Sequence, residues 1–598
     1  MCGIVGYVGR NNSLPRLIQG LKKLEYRGYD SAGVAYIDDN GKMSICKTVG
    51  RVSALETKIN FKDSSNIGIG HTRWATHGGV TDYNSHPHQV GDITIVHNGI
   101  LENYLELKSM LINEGYHFNS DTDTEVACCY IDYIYQKKKS SVTSLMDECM
   151  RVFTGSYAIV FMVKGYEDSL FVMKKDSPLI VANGNDGNYI ASDISAFADS
   201  TSKYFPLEDG MMGIVTGDKI QIYVDKKEID VKFSTVDLSI HNDDLGDFKH
   251  YMLKEIYEQK TLVDKWHDFY FKEQHINDLI SVSDFKKIHI VGCGTAYHAG
   301  GIGKYLLERY GNIEVSVFVA SEYRYQKLFI DKNTLVIFIS QSGETADTLA
   351  CIKRVKDYGV TTLGIVNVEN SSIARLVDSV IYTKALNEIA VASTKAYTAQ
   401  VYVLGMLALR LAIDTNKINL SDVDKYYCQL CDLINIPLNY DYSSIVDLIW
   451  NKEHMFYLGR NIDYVSMMEG ALKLKEISYI HCESMAAGEL KHGTISLMNE
   501  DSCVVVMATL DELASKTISN IKEVKSRGAQ VVLFIREDII NNLDDDCYDV
   551  IVRVPKTIYE IQPIVNVVYL QMMAYEVAKK LGKDIDKPRN LAKSVTVE

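Results

Sequence analysis

Met1-Cys2-Gly3-Ile4-Val5-Gly6-Tyr7-Val8 opens the chain and decides how its first third is interpreted. Removal of Met1 would leave Cys2 with a free α-amine next to its thiol. Because an α-amine has a pKa of about 8 and a free thiol one of about 8.5, the amine can deprotonate the thiol directly or through water. The stretch therefore predicts a nucleophilic cysteine. The alternative is a small apolar residue that starts a buried strand, since the apolar residues after it are typical of one.

Three polar stretches within the first 220 residues favour the nucleophile. Arg73 follows an apolar strand in His71–Gly78, and a guanidinium fork suits a carboxylate. In His97-Asn98-Gly99, a side-chain amide beside a glycine N–H supplies two donors for an oxyanion. Asp123 lies in Asp121–Glu125 at a predicted helix start, where Asp or Thr is ordinarily a cap. Together with Arg73, it would match the two charged groups of an α-amino acid.

The first region, residues 2–220, is rich in short apolar runs typical of strands. Helical periodicity appears at Leu14–Leu24, Tyr104–Glu114 and Thr124–Tyr135. We therefore expect a sheet sandwich covered by helices. Residues 221–280 lose this pattern before a helix begins near His250, so we expect them to form a linker.

Bulk properties exclude several classes of protein. The chain has 598 residues, enough for three or four domains, and a net charge of −15 that gives no general attraction for nucleic acid. Its twelve cysteines are scattered and no secretory signal begins the chain, which predicts reduced thiols in a cytosol. Cys428 and Cys431 form a single CxxC without a second pair, so zinc is not expected. The apolar run Tyr397–Ile413 contains Gln400 and Arg410 and predicts a buried helix rather than a membrane span.

The second region contains a repeat. Three apolar strands recur after 167 residues, and they are Ile288–Val291, Leu335–Ile339 and Gly364–Val368. A constant offset indicates two copies of one α/β unit, each with a parallel sheet, at residues 281–430 and 445–585, followed by a tail at 586–598.

The first copy carries a hydroxyl-rich loop, Ser340–Thr345, between a strand and a helix. Such a loop can hold a phosphate with hydroxyls, backbone N–H groups and the helix N-terminus; the alternative is a helix cap with a turn. Thr295 and Val391–Lys395 add hydroxyls at two other helix starts. No Walker-type loop is present, so nucleotide binding is not predicted.

The second copy carries different chemistry. Glu469, Lys473 and Glu476 share one face of a predicted helix. Facing solvent, they would form an ordinary ion-pair ladder; facing a sugar, they would supply a base that the lysine keeps ionised. His492 lies in Gly488–Gly493, where the alternative is a structural histidine.

The N-terminal motifs resemble the glutaminase domain of the N-terminal-nucleophile amidotransferases, which implies a four-layer αββα fold. By that resemblance Cys2 attacks the glutamine amide, and Asn98 and Gly99 form the oxyanion hole. The residues implied to hold the amino-acid end of glutamine are Arg73, Thr76, His77 and Asp123. Trp74 resembles the residue that gates ammonia passage, and His86-Pro87-His88 also matches the family.

Nearly the whole chain resembles the glutamine–fructose-6-phosphate aminotransferase (isomerizing) family, in which two sugar-isomerase (SIS) units follow the glutaminase domain. The resemblance implies that Lys593 forms a Schiff base with the sugar ketone, that Glu476 moves a proton between C1 and C2, and that His492 assists ring opening. Desolvation would favour the neutral, nucleophilic amine of Lys593. The implied sugar-phosphate site comprises Thr295, Ser340, Gln341, Ser342, Thr345, Val391, Ser393, Glu469, Lys473 and Ala592. Ala296 departs from the family, which commonly has Ser there.

The resemblance implies a homodimeric enzyme that takes glutamine and fructose 6-phosphate. The scattered cysteines favour the cytoplasm, and no cofactor or metal is expected because the sequence has no dinucleotide fingerprint or metal cluster. Nucleic acid and membrane are not expected as partners. One rival joins the same glutaminase domain to a phosphoribosyl transferase or an ATP-dependent synthetase, and it would need a pyrophosphate-binding loop that the sequence lacks. A second rival, a non-enzymatic sugar-phosphate sensor, would not need Cys2, Lys593 or the Glu469–Glu476 face.

Overall fold

The structure is a computed structural model. It describes residues 2–595 except for gaps at 26–27, 39, 76, 139–140, 236–243, 541–542 and 544. The described residues form two compact units. The first contains residues up to 235 together with Ser594 and Val595, and the second contains residues 244–593.

The first unit is built from two antiparallel sheets. Its strands are β1 (Gly3–Gly9), β2 (Ser31–Ile37), β3 (Met43–Val49), β4 (Ile67–Arg73), β5 (His88–Val90), β6 (Ile93–Leu101), β7 (Gly155–Val163), β8 (Ser169–Lys175), β9 (Ile180–Asn183), β10 (Gly187–Ala191), β11 (Lys203–Pro206), β12 (Met211–Thr216), β13 (Ile220–Val224), β14 (Lys227–Ile229) and β15 (Ser234–Thr235). Its helices are α1 (Ser13–Leu24), α2 (Val52–Lys58), α3 (Tyr104–Asn113), α4 (Asp123–Lys138) and α5 (Val142–Val152).

The two sheets stack face to face with helices on both outer sides. Their strand orders are β15-β11-β9-β10-β1-β4-β2-β3 and β14-β13-β12-β8-β7-β6-β5. On β1, Tyr7 packs with α1 and α2, whereas its neighbour Val8 faces β7 and β8 of the other sheet, as the period-two alternation of a strand requires. The far side of the second sheet packs against α3, α4 and α5. The predicted four-layer helix–sheet–sheet–helix sandwich is confirmed.

The second unit is built from two parallel sheets and the helices around them. Its strands are β16 (Lys287–Gly292), β17 (Glu314–Val319), β18 (Thr334–Ser340), β19 (Thr361–Val366), β20 (Ser379–Tyr382), β21 (His454–Gly459), β22 (His481–Ala486), β23 (Cys503–Ala508), β24 (Gln530–Arg536) and β25 (Val550–Val554). Its helices are α6 (Tyr251–His267), α7 (Thr295–Tyr310), α8 (Ala320–Tyr323), α9 (Ala346–Lys356), α10 (Ser372–Leu376), α11 (Lys395–Asp414), α12 (Leu420–Cys428), α13 (Leu430–Leu438), α14 (Ser443–Ile449), α15 (Ile462–Ser478), α16 (Asp511–Lys525) and α17 (Gln562–Lys580).

The two parallel sheets repeat one topology, which confirms the predicted duplication. Their orders are β17-β16-β18-β19-β20 and β22-β21-β23-β24-β25. The constant offset of 167 residues holds only for the first strand pair. Ile288 pairs with Leu335, but the equivalent Met455 pairs with Cys503, so the second copy has gained one residue by β23. Leu335 pairs with Thr361 and Cys503 with Gln530, which adds a further residue by β24.

The strand order places the loops after β16 and β18 at a topological switch point. The chain leaves β16 for β17 on one side and then returns to β18 on the other. Ligands bind in α/β sheets at the carboxyl ends of strands that flank such a point. A Cβ added to Gly292, which ends β16, would lie 3.0 Å from the backbone of Ala296, so this glycine allows α7 to approach the strand closely.

The C-terminal segment is tied to the second unit by Asp586. Its carboxylate accepts hydrogen bonds of 2.9 Å from the N–H groups of Tyr251 and Met252 at the start of α6. The N–H of Val391 donates to the carbonyl oxygen of Asp586 at 2.9 Å. These contacts bring the segment that leads to Lys593 next to the loop that precedes α11.

One predicted segment differs from its expectation, and another agrees with it. Residues 221–280, expected as a linker, contain β14 and β15 of the first unit and α6 of the second. Helix α11 is long and apolar enough to cross a membrane by length and composition, but 89% of its most apolar window is buried inside the protein. It is the buried helix that the sequence predicts.

Candidate active sites

Cys2 lies where two neighbouring strands meet. Strand β1 pairs antiparallel with β4, Gly3 opposite Thr72, so the start of β1 lies against the end of β4. The N–H of Trp74, just after β4, donates a hydrogen bond of 3.2 Å to Sγ of Cys2. Burial raises the pKa of the Cys2 thiol, an effect that the Trp74 N–H opposes. A thiol in this position needs a base, which its own α-amine would supply after removal of Met1.

The amide of Asn98 is held in one orientation. Its Nδ2 donates to the carbonyl oxygen of Cys2 at 3.0 Å. Nε2 of His71 lies 3.1 Å from Oδ1 of Asn98 and 3.0 Å from the carbonyl oxygen of His97. Because both partners are acceptors, Nε2 carries the proton, and burial lowers the pKa of His71 to about 3, so the ring is neutral. The amide N–H donors of Asn98 therefore point toward the cysteine.

Gly99 follows Asn98 on β6 in a conformation that favours glycine. Its φ is +127°, and an added Cβ would lie 2.0 Å from the carbonyl oxygen of Ser156 on the neighbouring strand. A side chain at this position would push the strand away from β7. Glycine is therefore needed at residue 99 to keep its backbone N–H next to the Asn98 amide.

A single cavity gathers most of the residues predicted to bind glutamine. Its lining comprises Cys2, Arg73, Trp74, His77, His86, His97, Gly99, Thr122, Asp123 and Thr124. Thr76, also predicted, lies outside the described residues. The guanidinium of Arg73 donates to the carbonyl oxygens of Gly78 and Gly79, each at 3.1 Å, which shapes the loop after β4. The carboxylate of Asp123 accepts from the N–H of Leu101 at 2.8 Å at the start of α4.

Sequence reasoning missed His71 and gave the neighbouring histidines only a supporting role. The rings of His71 and His86 stack at 4.1 Å, and those of His86 and His88 meet edge to face at 5.0 Å. Burial lowers the pKa of both His86 and His88, so this cluster is uncharged at neutral pH. His71 opens the stretch His71–Gly78, but nothing in the pattern distinguishes it from a core residue.

In the second unit, Nζ of Lys593 contacts three oxygen atoms. Its Nζ forms an ion pair with Glu388 and donates to the carbonyl oxygen of Ala390 at 2.8 Å and to Oγ of Ser393 at 3.1 Å. The Lys593 side chain is 3% exposed. The Lys593 amine is desolvated, as the sequence predicts. The carboxylate of Glu388 also contacts this amine, which the sequence did not predict.

The Glu469 face points inward, so the interpretation as a solvent-exposed ion-pair ladder is wrong. Glu469 and Lys473 are 0% and 1% exposed at their side chains. Nζ of Lys473 lies 2.6 Å from Glu476 and 3.4 Å from Glu469. Although burial alone would lower it, the charges of Glu469 and Glu476 raise the pKa of Lys473, and Glu388 adds to this effect. The Lys593 cluster and the Glu469 face are therefore within electrostatic range of each other.

Two residues of α7 complete this face. Thr295 donates to Glu469 at 3.1 Å and accepts from Lys473 at 3.1 Å. Nδ1 of His298 lies 2.7 Å from the other carboxylate oxygen of Glu469. Sequence reasoning identified Thr295 but missed His298, which lies one turn further along the same helix.

The Ser340–Thr345 loop is held in shape by hydrogen bonds within it. Oγ of Ser340 lies 2.9 Å from Oγ1 of Thr345 and accepts from the N–H of Gly343 at 3.0 Å. Ser342 accepts from the N–H of Glu344 at 3.2 Å. Thr345 occupies the cap position of α9 without a side-chain cap bond, so the helix N-terminus faces this loop. The carbonyl of Gln341 accepts from the N–H of Asn367 at 3.2 Å, which fixes the loop to β19.

Three predicted residues are placed less directly. His492 is exposed in the turn Glu489–His492, and within the described part of the chain no hydrogen bond joins it to Lys593 or to the Glu469 face. Ala592 is half-buried next to Lys593. Val391 is buried and contributes its backbone N–H to the contact with Asp586. Among the residues that the structure describes, no cluster of three or more His, Cys, Asp or Glu could hold a metal ion.

Comparisons with known proteins match both regions of the chain. The family model described as SIS domain matches residues 281–410 and 448–580, and the one described as glutamine amidotransferase domain matches residues 79–199. The chain is 43% identical to a glutamine–fructose-6-phosphate aminotransferase [isomerizing] of Clostridium acetobutylicum and 45% identical to that of Clostridium tetani, with 100% of both chains covered in each case. A solved C-terminal domain of glucosamine-fructose-6-phosphate aminotransferase from Francisella tularensis is 36% identical, with a TM-score of 0.54, and covers 58% of this chain and 100% of that one.

Proposed function

The chain belongs to the glutamine–fructose-6-phosphate aminotransferase (isomerizing) family, and we propose on this premise how its own residues divide the reaction. The protein is a glutamine amidotransferase that makes glucosamine 6-phosphate and glutamate from fructose 6-phosphate and glutamine. Glutamine hydrolysis, internal ammonia transfer and ketose-to-aldose amination are its three parts. Glucosamine 6-phosphate begins amino-sugar synthesis.

Glutamine hydrolysis is assigned to residues 2–220. Cys2 attacks the amide carbon, and the Asn98 side chain with the Gly99 N–H stabilises the oxyanion that forms. The position of the Asn98 amide, held between His71 and the Cys2 carbonyl, supports this role. Arg73, Thr76, His77 and Asp123 hold the amino-acid end of glutamine. Trp74 gates the ammonia, and its N–H on the Cys2 thiol supports a place beside the reacting amide.

Sugar chemistry is assigned to residues 281–430 and 445–585, with the tail 586–598 as a catalytic segment and residues 221–280 as the connection. Lys593 forms an imine with the ketone. Glu476 moves the proton between C1 and C2, and Nζ of Lys473 lies 2.6 Å from its carboxylate. Thr295 and Glu469 support them, while His492 assists ring opening.

The phosphate is assigned to the loop after β18. Hydroxyls and N–H groups of Ser340, Gln341, Ser342 and Thr345 surround it, and the open N-terminus of α9 favours a dianion. Val391, Ser393 and Ala592 lie near Lys593 and border the sugar. Since no hydroxyl is present at Ala296, another group or water takes its place.

The single observation that carries the proposal is the burial of Lys593 and of the Glu469–Lys473 pair within one unit that repeats the sugar-isomerase topology. The test is an assay of purified protein with glutamine and fructose 6-phosphate. We expect glutamate and glucosamine 6-phosphate in equal amounts. Glutamate release without amino sugar, at saturating fructose 6-phosphate, would contradict the assignment of the second unit.

We also propose a cytoplasmic homodimer that binds neither nucleic acid nor membrane. A net charge of −15 disfavours association with nucleic acid and with anionic lipid. Light scattering of the purified chain tests the dimer, and a monomer mass at micromolar concentration contradicts it.

A further inference from the structure

Lys593 holds its amine in a form that cannot attack a ketone. An ammonium has three N–H donors, and Glu388, Ala390 and Ser393 supply three acceptors. The Lys593 side chain is 3% exposed and that of Glu388 is 0% exposed, so solvent does not compete for these bonds. Because a nucleophile needs a free lone pair, a proton must leave Nζ before the amine reacts.

The two carboxylate oxygens of Glu388 have different partners, and one of them pairs with Lys593. Its Oε1 accepts from the N–H of Thr394 at 2.9 Å and of Ala396 at 3.0 Å, at the positive end of the 20-residue helix α11. Its Oε2 forms the ion pair with Lys593. Burial opposes the charge, but Lys593 and these N–H donors hold the pKa of Glu388 below its ordinary value. Glu388 is therefore a carboxylate in the resting state.

The other ionisable groups nearby are already engaged or neutral. Oε1 of Glu255 accepts from the N–H of Ala390 at 3.1 Å, and burial followed by the charge of Glu388 raises the pKa of Glu255 to about 8. Nζ of Lys395 pairs with Glu258 at 2.6 Å. Of the carboxylates in the described residues, only that of Glu388 contacts Nζ of Lys593.

We propose that Glu388 is the counter-ion and proton carrier of Lys593 during imine formation, an inference that rests on the proposed role of Lys593. Glu388 takes one proton from the ammonium, and the amine nitrogen attacks C2 of fructose 6-phosphate. The C–N bond forms as the C–O π bond breaks, and a proton moves from nitrogen to oxygen to give a carbinolamine. The Glu388 carboxylic acid then returns its proton to the leaving hydroxyl.

The products of this sequence are water, a protonated imine and the Glu388 carboxylate. One positive and one negative charge are present before and after, and the three ammonium hydrogens end on the imine and the water. The protonated imine thus replaces the ammonium in the same ion pair, so no charge is left unpaired in the buried site.

The test measures how fast borohydride traps fructose 6-phosphate on Lys593 of the full chain, by mass spectrometry of the C-terminal peptide. The variants are Glu388→Gln, which keeps shape without a carboxylate, and Glu388→Asp, which keeps the carboxylate but is shorter. Glu258→Gln is the matched control, because Glu258 also pairs with a buried lysine but does not contact Lys593. Binding of sorbitol 6-phosphate, which has no carbonyl, checks that each variant retains its folded site.

We expect trapping to slow about 100-fold or more in Glu388→Gln, about tenfold in Glu388→Asp, and less than twofold in Glu258→Gln. A role in packing alone gives the opposite order, with Gln better tolerated than Asp, and this order would overturn the inference. A Glu388→Gln rate equal to or above wild type would overturn it as well. Should Glu388→Gln lose sorbitol 6-phosphate binding, a solvent deuterium isotope effect on Glu388→Asp supports the inference and its absence overturns it. A wild-type protein that is not trapped at Lys593 contradicts the proposed function instead.

Discussion

Thr295 of the first α/β copy donates a hydrogen bond of 3.1 Å to Glu469 of the second copy. The two residues lie on α7 and α15, the helices that follow the first strand of each copy. A duplicated unit is often expected to provide two similar sites. In the proposed site the copies instead contribute different parts of one: the first would offer hydroxyls for the phosphate, and the second the carboxylates and the lysine on α15.

Cys2→Ala should abolish glutamine-dependent synthesis while sparing sugar isomerisation. In the proposed mechanism the thiol forms the covalent bond to glutamine, whereas the residues proposed for isomerisation belong to the other unit. The measurement is glutamate release together with conversion of fructose 6-phosphate to glucose 6-phosphate. Cys128→Ala is the control, because Cys128 is buried in the helical layer of the same unit. Glutamine turnover that survives in Cys2→Ala would show that the nucleophile is misassigned.

Lys593→Arg should remove the imine, because a guanidinium does not form one with a ketone. We expect no sugar adduct after borohydride treatment and no glucosamine 6-phosphate, with glutaminase activity retained. Lys587→Arg is the control in the same segment. An adduct of normal yield on Lys593→Arg would place the imine on another lysine.

His71→Ala should weaken glutamine hydrolysis without affecting sugar isomerisation. The loss of the hydrogen bond of 3.1 Å frees the Asn98 amide to rotate, and removal of one oxyanion donor typically costs about 100- to 1,000-fold in kcat. We expect kcat to fall by a factor toward the lower end of that range, with a smaller change in KM. The half-buried His275, which lies in the second unit, offers a control in His275→Ala. A change confined to KM would instead assign His71 to substrate binding.

Ala296 should control phosphate affinity. Gly294 and Asn461 have nearly the same φ, +53° and +54°, which makes Ala296 and Asp463 equivalent positions. The carboxylate of Asp463 accepts from the N–H of Thr509 at 2.7 Å, just after β23. In the second copy, an internal carboxylate thus lies at the position equivalent to that of the proposed phosphate in the first copy.

Ala296→Asp should accordingly place a negative charge in the phosphate cradle and abolish fructose 6-phosphate binding, while Ala296→Ser should strengthen binding by adding a hydroxyl donor. Calorimetric titration with sorbitol 6-phosphate measures both, and glutaminase activity reports the intact first unit. Undiminished affinity in Ala296→Asp would place the phosphate elsewhere.

Asp463 should also make the second unit less stable as pH rises from about 4 to about 6. Burial raises its pKa to about 6 in the folded chain, above the value of about 3.9 for an unfolded Asp. The folded state therefore binds more protons in this window, and its free energy of unfolding falls as pH rises. Thermal melting of wild type and Asp463→Asn from pH 4.5 to 7.5 measures the difference. We expect a wild-type decline with pH that the variant lacks, and parallel curves would contradict it.

Local patterns predicted much of this architecture. Short apolar runs such as Ile4–Val8 indicated the strands of the sandwich, and the recurrence of β16 at β21 indicated the duplication, because burial in the core selects apolar strands. The register was not predictable. The extra residues before β23 and β24 do not change the apolar pattern, so only strand pairing shows that the offset grows.

The site was predictable where a motif is contiguous and not where partners meet through the fold. Asn98-Gly99 and Ser340–Thr345 carry their chemistry in sequence. Glu388 lies 205 positions before Lys593, and in the sequence it resembles any other acidic loop residue. Only the folded structure brings its carboxylate next to Lys593. His71 and His298 are likewise defined by what they contact rather than by their neighbours in sequence.

The most direct test of the account uses glutamine labelled with nitrogen-15 in its amide, in the presence of excess unlabelled ammonium. The protein is given fructose 6-phosphate, and the amino nitrogen of glucosamine 6-phosphate is analysed by mass spectrometry. If ammonia released at Cys2 passes internally to the sugar at Lys593, nearly all product nitrogen carries the label. Product nitrogen that matches the unlabelled ammonium pool would show that the two sites are not coupled.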